Sequence, residues 1–199
     1  GTSTLVLGNG ANSYTGTTTI AQGTVVAAAA DVLDNSAGLD LSVSGASFNL
    51  AGFDQTLTKL DGVAGTTVTN STAAVTDAAT LTISGNGGVF AGNLTQPGDD
   101  VLSFTKSGVG TQTLSGGGNT FTGPTTVSGG VLKAGVANLF GASSGLNITA
   151  AAATFNLAGF DQSILKLDSV AGAIVTNDAG NSGDVATLTI TGGGGVYVG

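Results

Sequence analysis

Phe48-Asn-Leu-Ala-Gly-Phe-Asp-Gln55 recurs without change as Phe155-Asn-Leu-Ala-Gly-Phe-Asp-Gln162. At that offset of 107, residues 1–92 align with 108–199 without a gap, and 44 of the 92 pairs are identical. Lys59-Leu60-Asp61 returns as Lys166-Leu167-Asp168, and Val68-Thr69-Asn70 as Val175-Thr176-Asn177. Exchanges elsewhere keep shape, as in Tyr14 for Phe121, Ile20 for Val127 and Leu33 for Phe140. The 199 residues therefore read as one segment, 1–199, made of a repeat, 1–107, and a truncated second copy, 108–199.

A period of 107 is too long for one supersecondary unit, so each copy must contain several smaller coils. Alternation of period two marks short strands in Ser47-Phe-Asn-Leu50, Thr56-Leu-Thr-Lys-Leu60, Thr80-Leu-Thr-Ile-Ser84 and Val101-Leu-Ser-Phe104. Turn signals such as Asp61-Gly62, Gly85-Asn86-Gly87-Gly88 and Gly116-Gly117-Gly118 end each strand before it lengthens. Coils of roughly 20 residues predict an all-β, parallel β-solenoid of about nine to ten coils, a rod of ~45 Å. Val25 to Leu33 is the one helix-like stretch, and we read it as a loop, because its counterpart contains Gly135 and lacks the Ala run. The inward faces are assigned to Phe48, Leu50, Phe53, Leu60, Leu81 and Ile83, with Phe155, Leu157, Phe160, Leu167, Leu188 and Ile190 as their repeats.

Composition excludes much chemistry. Cys, Met, Trp, His, Arg and Glu are all missing, so the 12 acids are Asp and the 4 bases are Lys, for a net charge of −8. No imidazole or thiolate is present for nucleophilic catalysis or for the usual zinc, haem or iron–sulfur ligand sets, and no cofactor is expected. Four scattered lysines make no basic footprint for nucleic acid or anionic lipid. Mean hydropathy is +0.38, yet Gly, Ser and Asn interrupt every apolar stretch, so no membrane insertion of this segment is expected. The chain opens inside the repeat and without Met, which reads as a piece of a longer protein.

Leu102-Ser-Phe-Thr-Lys-Ser-Gly-Val-Gly-Thr-Gln-Thr-Leu-Ser115, followed by Gly118-Asn-Thr-Phe-Thr-Gly-Pro-Thr-Thr-Val-Ser-Gly-Gly-Val-Leu132, resembles the passenger-associated strand repeat of bacterial autotransporters. Leu7 to Gly23 looks like a first copy of the motif. Gln112 stands where that pattern usually has Leu, and Pro124 where it has Gly. The resemblance implies a right-handed parallel β-helix carried outside the cell or on its surface. Adhesins, aggregation factors and some enzymes share that stalk, so it does not specify an activity.

Candidate sites were weighed on this frame. Asp99-Asp100 resembles the Gly-Asp-Asp of β-helical polygalacturonases, but the accompanying His-Gly and Arg motifs have no counterpart here. Asp31, Asp34 and Asp40 form the densest acidic group and, with Asp99 and Asp100, are the candidate calcium ligands. Lys59 with Asp61, and Lys166 with Asp168, read as surface ion pairs, while Asp54 and Asp161 read as turn caps. Thr-x-Thr pairs at 56/58, 67/69, 80/82, 111/113 and 187/189 suggest an ice-ordering ladder, but spacings of 11 and 13 do not match one pair per coil. Outward threonines opposite inward Leu and Ile are the preferred reading.

The function expected is a non-enzymatic structural or adhesive solenoid, with partners that include further repeats of the same protein through end-to-end association, or a host or matrix surface. The alternatives are a ligand-binding solenoid, for glycan, calcium or ice, and a polysaccharide-degrading β-helix.

Overall fold

The computed structural model describes residues 3–72, 77–140, 143–180 and 184–199. Every strand pair in it is parallel, and no helix occurs among these residues. The strands stack into a β-solenoid with three faces. On the first face lie β1 (Thr4–Leu7), β3 (Thr24–Ala27), β5 (Ser47–Asn49), β8 (Thr67–Thr69) and β11 (Asn93–Thr95). The second carries β2 (Thr18–Ile20), β4 (Leu39–Leu41), β7 (Leu60–Gly62), β10 (Val89–Phe90), β13 (Thr111–Leu114), β15 (Val131–Ala134), β17 (Thr154–Asn156) and β20 (Ile174–Thr176). The third carries β6 (Gln55–Leu57), β9 (Ala78–Ile83), β12 (Val101–Lys106), β14 (Thr125–Val127), β16 (Leu146–Ile148) and β19 (Leu167–Ser169). A separate pair, β18 (Gln162–Ile164) with β21 (Leu188–Ile190), resumes the first face. Between β11 and β18 that face is carried by Asn119, whose Oδ1 accepts from Leu94 N and whose amide donates to Leu139 O.

Register gives the coil length. Thr4 pairs with Thr24, Thr24 with Ser47, Ser47 with Thr67, and Thr67 with Asn93, so coils counted on this face run from 20 to 26 residues, and Gly62 to Phe90 on the second face takes 28. This is longer than the 20 assumed from turn spacing, because corners such as Gln96 to Asp100 carry extra residues. About eight turns result, rising ~38 Å at ~4.8 Å each.

The same registers show how the copies relate. From β1 the chain returns to the first face four times, at β3, β5, β8 and β11, then passes through β12 on the third face to β13 on the second. Since β13 is the sequence counterpart of β1, one repeat spans four turns and two of the three faces. Each feature of the first copy thus reappears one face round the rod: β5 on the first face becomes β17 on the second, and β7 on the second becomes β19 on the third.

Alternation places the core. Val25, Phe48, Val68 and Leu94 stack inward on the first face, and Leu57, Ile83, Lys106, Val127 and Ile148 on the third, all buried. Phe140 meets Phe155 with ring centroids 5.1 Å apart and planes tilted by 58°, an arrangement favoured by the ring quadrupoles. Of the residues assigned inward, Phe48, Leu50, Leu60, Leu81, Ile83, Phe155, Leu157 and Leu167 are buried, and Leu188 is half-buried against the core. Three assignments need correction. Phe53 and Phe160 are each 39% exposed: both follow an Ala-Gly turn at positive φ (Ala51 at 50°, Gly52 at 84°; Ala158 at 51°, Gly159 at 85°), so the inward parity of the strand that follows, set by buried Gln55 and Leu57 and by Gln162 and Ile164, does not extend back to them. Ile190, 46% exposed, lies in the last turn, on which no further turn is stacked.

Candidate functional site

The aspartates are used by the backbone. Asp31 Oδ1 accepts from Thr56 N at 2.8 Å, Asp54 Oδ1 from Thr80 N at 2.7 Å, and Asp61 Oδ1 from Val89 N at 2.8 Å. In the second copy, Asp161 Oδ1 accepts from Thr187 N at 2.7 Å and Asp168 Oδ1 from Val196 N at 3.0 Å. Each bond reaches one turn along the rod, so these carboxylates repair the ladder where a corner interrupts it. Lys59 Nζ lies 2.5 Å from Asp61 Oδ2, and Lys166 Nζ 2.5 Å from Asp168 Oδ2. The hydrogen bond from Lys166, then that from Val196 N, holds the Asp168 carboxyl below the usual carboxylate range, and Asp61 raises the Lys59 ammonium.

Asp99 is exposed, whereas Asp100 is buried and receives Thr72 N at 3.0 Å, Thr72 Oγ1 at 3.1 Å and Asp77 N at 3.1 Å. Those bonds, led by Thr72 N–H, lower its pKa. A general acid needs the opposite shift. Asp100 serves instead to tie the backbone at Thr72 to the backbone at Asp77. Asp34 Oδ1 accepts from the neighbouring Asn35 side chain, and Asp40 sits on β4 opposite Asp61. Asp31, Asp34 and Asp40 are thus dispersed, and among the described residues no three acids converge on a metal-sized site.

Side chains to which the sequence reading gave no role hold the coils together. Gln55 is buried; its Oε1 accepts from Val32 N at 3.0 Å and its Nε2 donates to Ala29 O at 2.8 Å. Gln162 repeats both bonds with Leu139 N and Val136 O. The signal was present in the invariant block, whose terminal Gln has no value on a solvated surface. Lys106 is wholly buried, donates to Gly108 O, and is pushed down in pKa by burial.

The third face carries the most regular outward surface. One column runs Thr56, Thr82, Thr105, Thr126, Asn147 and Asp168 over successive turns. Two residues further on, the same registers give Thr58, Ser84, Ser107, Ser128, Thr149 and Val170. Thr58 Oγ1 donates to Ser36 O, and Ser84, Ser107 and Ser128 donate to carbonyls of the rung before. The hydroxyls of Thr56, Thr82, Thr105 and Thr126 make no hydrogen bond among the described residues and face solvent. Neighbours in a column are one strand spacing apart, ~4.8 Å. The pairs 56/58 and 80/82 share this face, whereas 67/69 falls on the first and 111/113 on the second. Irregular spacing in sequence reflects consecutive pairs visiting different faces. At the far end an open groove of about 260 Å³ is lined by Thr126, Asn147, Thr149, Asp168 and Val170.

Comparison with known proteins bears on the two motif-bearing stretches. Residues 1–27 and 104–134 match the family model of the passenger-associated-transport-repeat. The chain thus resembles this transport repeat at two places. The first copy supplies β1 to β3, and the second runs from the end of β12 through β15, with buried Lys106 and Gln112 inside it. Over 136 residues, 67% of the chain, the sequence is 38% identical to the adhesin BmaC autotransporter of Brucella suis biovar 1 (strain 1330). The match spans about 4% of that adhesin. No solved structure matches the chain.

Proposed function

We propose that the chain is a non-enzymatic stalk segment of an autotransporter-like adhesin passenger, displayed outside the cell or on its surface. The observation that carries this reading is that both stretches resembling the transport repeat are built into one uninterrupted stack of parallel turns, in a chain related to an autotransporter adhesin. The work of such a segment is architectural: each turn templates the next through main-chain bonds, and inward columns give the rod its stiffness. Negative-stain electron microscopy over a dilution series, with and without calcium, tests this. Discrete rods of ~38 Å mark a passive stalk; calcium-independent fibres one solenoid wide make self-assembly the activity; cleavage of acidic polysaccharide by the purified chain would overturn the non-enzymatic reading.

The third face favours one second reading. Its free threonine hydroxyls stand at regular spacing and carry no charge until Asp168, which suits a neutral, hydroxyl-rich ligand such as a neutral glycan. Thr82→Lys with Thr105→Lys is expected to abolish retention of the chain on a neutral polysaccharide film, while Thr67→Lys on the first face leaves it unchanged. Equal retention of all three proteins would remove the third face from consideration.

A further inference from the structure

Register is weakly specified where strands are short and glycine-rich. The rung between β7 and β10 is the extreme case, for Gly62 and Phe90 are its only paired residues. Val89 N turns away to Asp61 Oδ1, and Gly88, whose carbonyl accepts Thr113 N of β13 at 2.8 Å, makes no backbone hydrogen bond to β7 among the described residues. The Leu60 carbonyl is instead met from two turns along: Gln112 Nε2 donates to it at 2.9 Å, across 52 residues of sequence. Gly88 makes room for this, since a Cβ there would lie 2.6 Å from Leu60 O and 2.4 Å from Asp61 Oδ1.

Gln112 is wholly buried, and its Oε1 has no hydrogen-bond partner among the described residues. The first copy has Leu5 at the equivalent position. An amide here is therefore poor value for stability alone, because half of it is buried unpaired. Its corner is held by a second buried polar group, Lys106, which clamps Gly108 O just before β13 begins.

We propose that Gln112 is a register key at the seam between the two copies: it holds β13 and β10 in a single alignment on β7 that hydrophobic pattern leaves open. The repeat makes such a key useful. The strands meeting at this seam pair over only one residue between β7 and β10 and two between β10 and β13, and the second copy of one chain can dock on the first copy of another. Only the native alignment delivers the Gln112 amide to Leu60 O past a residue without a side chain. A buried polar group that selects one register is the best-attested use of such groups.

The chain has no cysteine, so a reporter pair can be added cleanly. Val89 and Thr113 are outward Cα partners on β10 and β13, and Val89→Cys with Thr113→Cys forms an intramolecular disulfide only in the native register. In that background the chain is expected to oxidise fully to a crosslinked monomer. Gln112→Leu, and Gln112→Asn, which is too short to reach Leu60, are expected to melt cooperatively yet leave a several-fold larger fraction uncrosslinked or in disulfide-linked dimers. Leu132→Ala, a core truncation on the next turn, is expected to lower the melting midpoint while crosslinking fully. Complete intramolecular crosslinking of both Gln112 variants would overturn the proposal. So would loss of folding in Gln112→Leu, since the amide would then be a source of stability and not of register.

Discussion

Asn70 accepts the backbone N–H of Gly52 on its Oδ1 at 2.8 Å, while its amide donates to the carbonyls of Asp77 and Val101. Asn177 repeats the arrangement with Gly159 N at 2.7 Å and Asp184 O at 2.9 Å. Two of the segments that recur unchanged, Phe-Asn-Leu-Ala-Gly-Phe-Asp-Gln and Val-Thr-Asn, are therefore partners across adjacent turns. Asn49 Oδ1 completes the unit by receiving Ala51 N and Ser71 N, which holds Ala51 at a φ of 50° that a Cβ disfavours.

Because Asn70 is buried and Asn177 is exposed, the same substitution has unequal effects. Asn70→Ala leaves buried backbone groups unpaired and is expected to cost about 2–3 kcal/mol, whereas Asn177→Ala costs under ~1 kcal/mol, since water replaces the lost partner. Urea unfolding midpoints check this, and equal losses would contradict it.

Truncating the inward face separates the true core from the corner. Leu50→Ala and Leu157→Ala are each expected to cost about 2–5 kcal/mol. Phe53→Ala is expected to cost far less, because its ring is already 39% exposed. An unchanged midpoint for Leu50→Ala would mean that the inward column is misplaced.

Acid tests the Asp100 corner. Its folded-state pKa lies below the unfolded carboxylate value, through hydrogen bonds led by Thr72 N–H. The native state therefore binds its proton later than the unfolded state, and the contribution is complete above about pH 4 and lost as pH falls through the depressed value. Asp100→Ala is expected to cost about 1–3 kcal/mol at pH 7 and progressively less below pH ~4. A constant difference down to the lowest pH at which the chain folds would exclude a role for the charge.

Lys106 has the opposite pH signature. Burial lowers its folded pKa, so the unfolded state binds more protons between the folded value and about 10.4, and stability rises with pH through that window. Lys106→Met is expected to remove this rise and to match or exceed the parent melting midpoint near neutral pH, because no carboxylate pairs with the buried ammonium among the described residues. Melting curves from pH 7 to ~10 in the two proteins check the slope. The Lys59–Asp61 pair has the opposite dependence: its contribution is complete below the ordinary lysine value and is lost only as pH climbs through the raised folded value.

Much of this architecture is local, which is why it is legible in a single sequence. Alternation in Thr80-Leu-Thr-Ile-Ser84 records a strand with one buried side, and Leu81 and Ile83 are indeed inward. Lys59 and Asp61, two residues apart on an extended chain, meet as their spacing requires. Side-chain direction set by a corner, and not by a strand, is not legible in this way. Phe53 has the parity of an inward residue, but it precedes β6 and follows two residues at positive φ. The inter-turn roles of Asp31, Asp54 and Gln55 depend on which backbone N–H the next turn presents, and no spacing within one coil contains that.

The sequence by itself determined a parallel solenoid with two copies of one unit, because period-two alternation and an ungapped offset of 107 are properties of the chain taken locally. Tertiary structure alone decided the length of each coil, the third-face alignment of Thr56, Thr82, Thr105 and Thr126, and the displacement of one copy from the other by a face. The physical reason is accumulation: each corner adds or withholds a few residues according to the bonds it makes with the turn beside it. The face on which a given strand lands is the sum of all the corners before it.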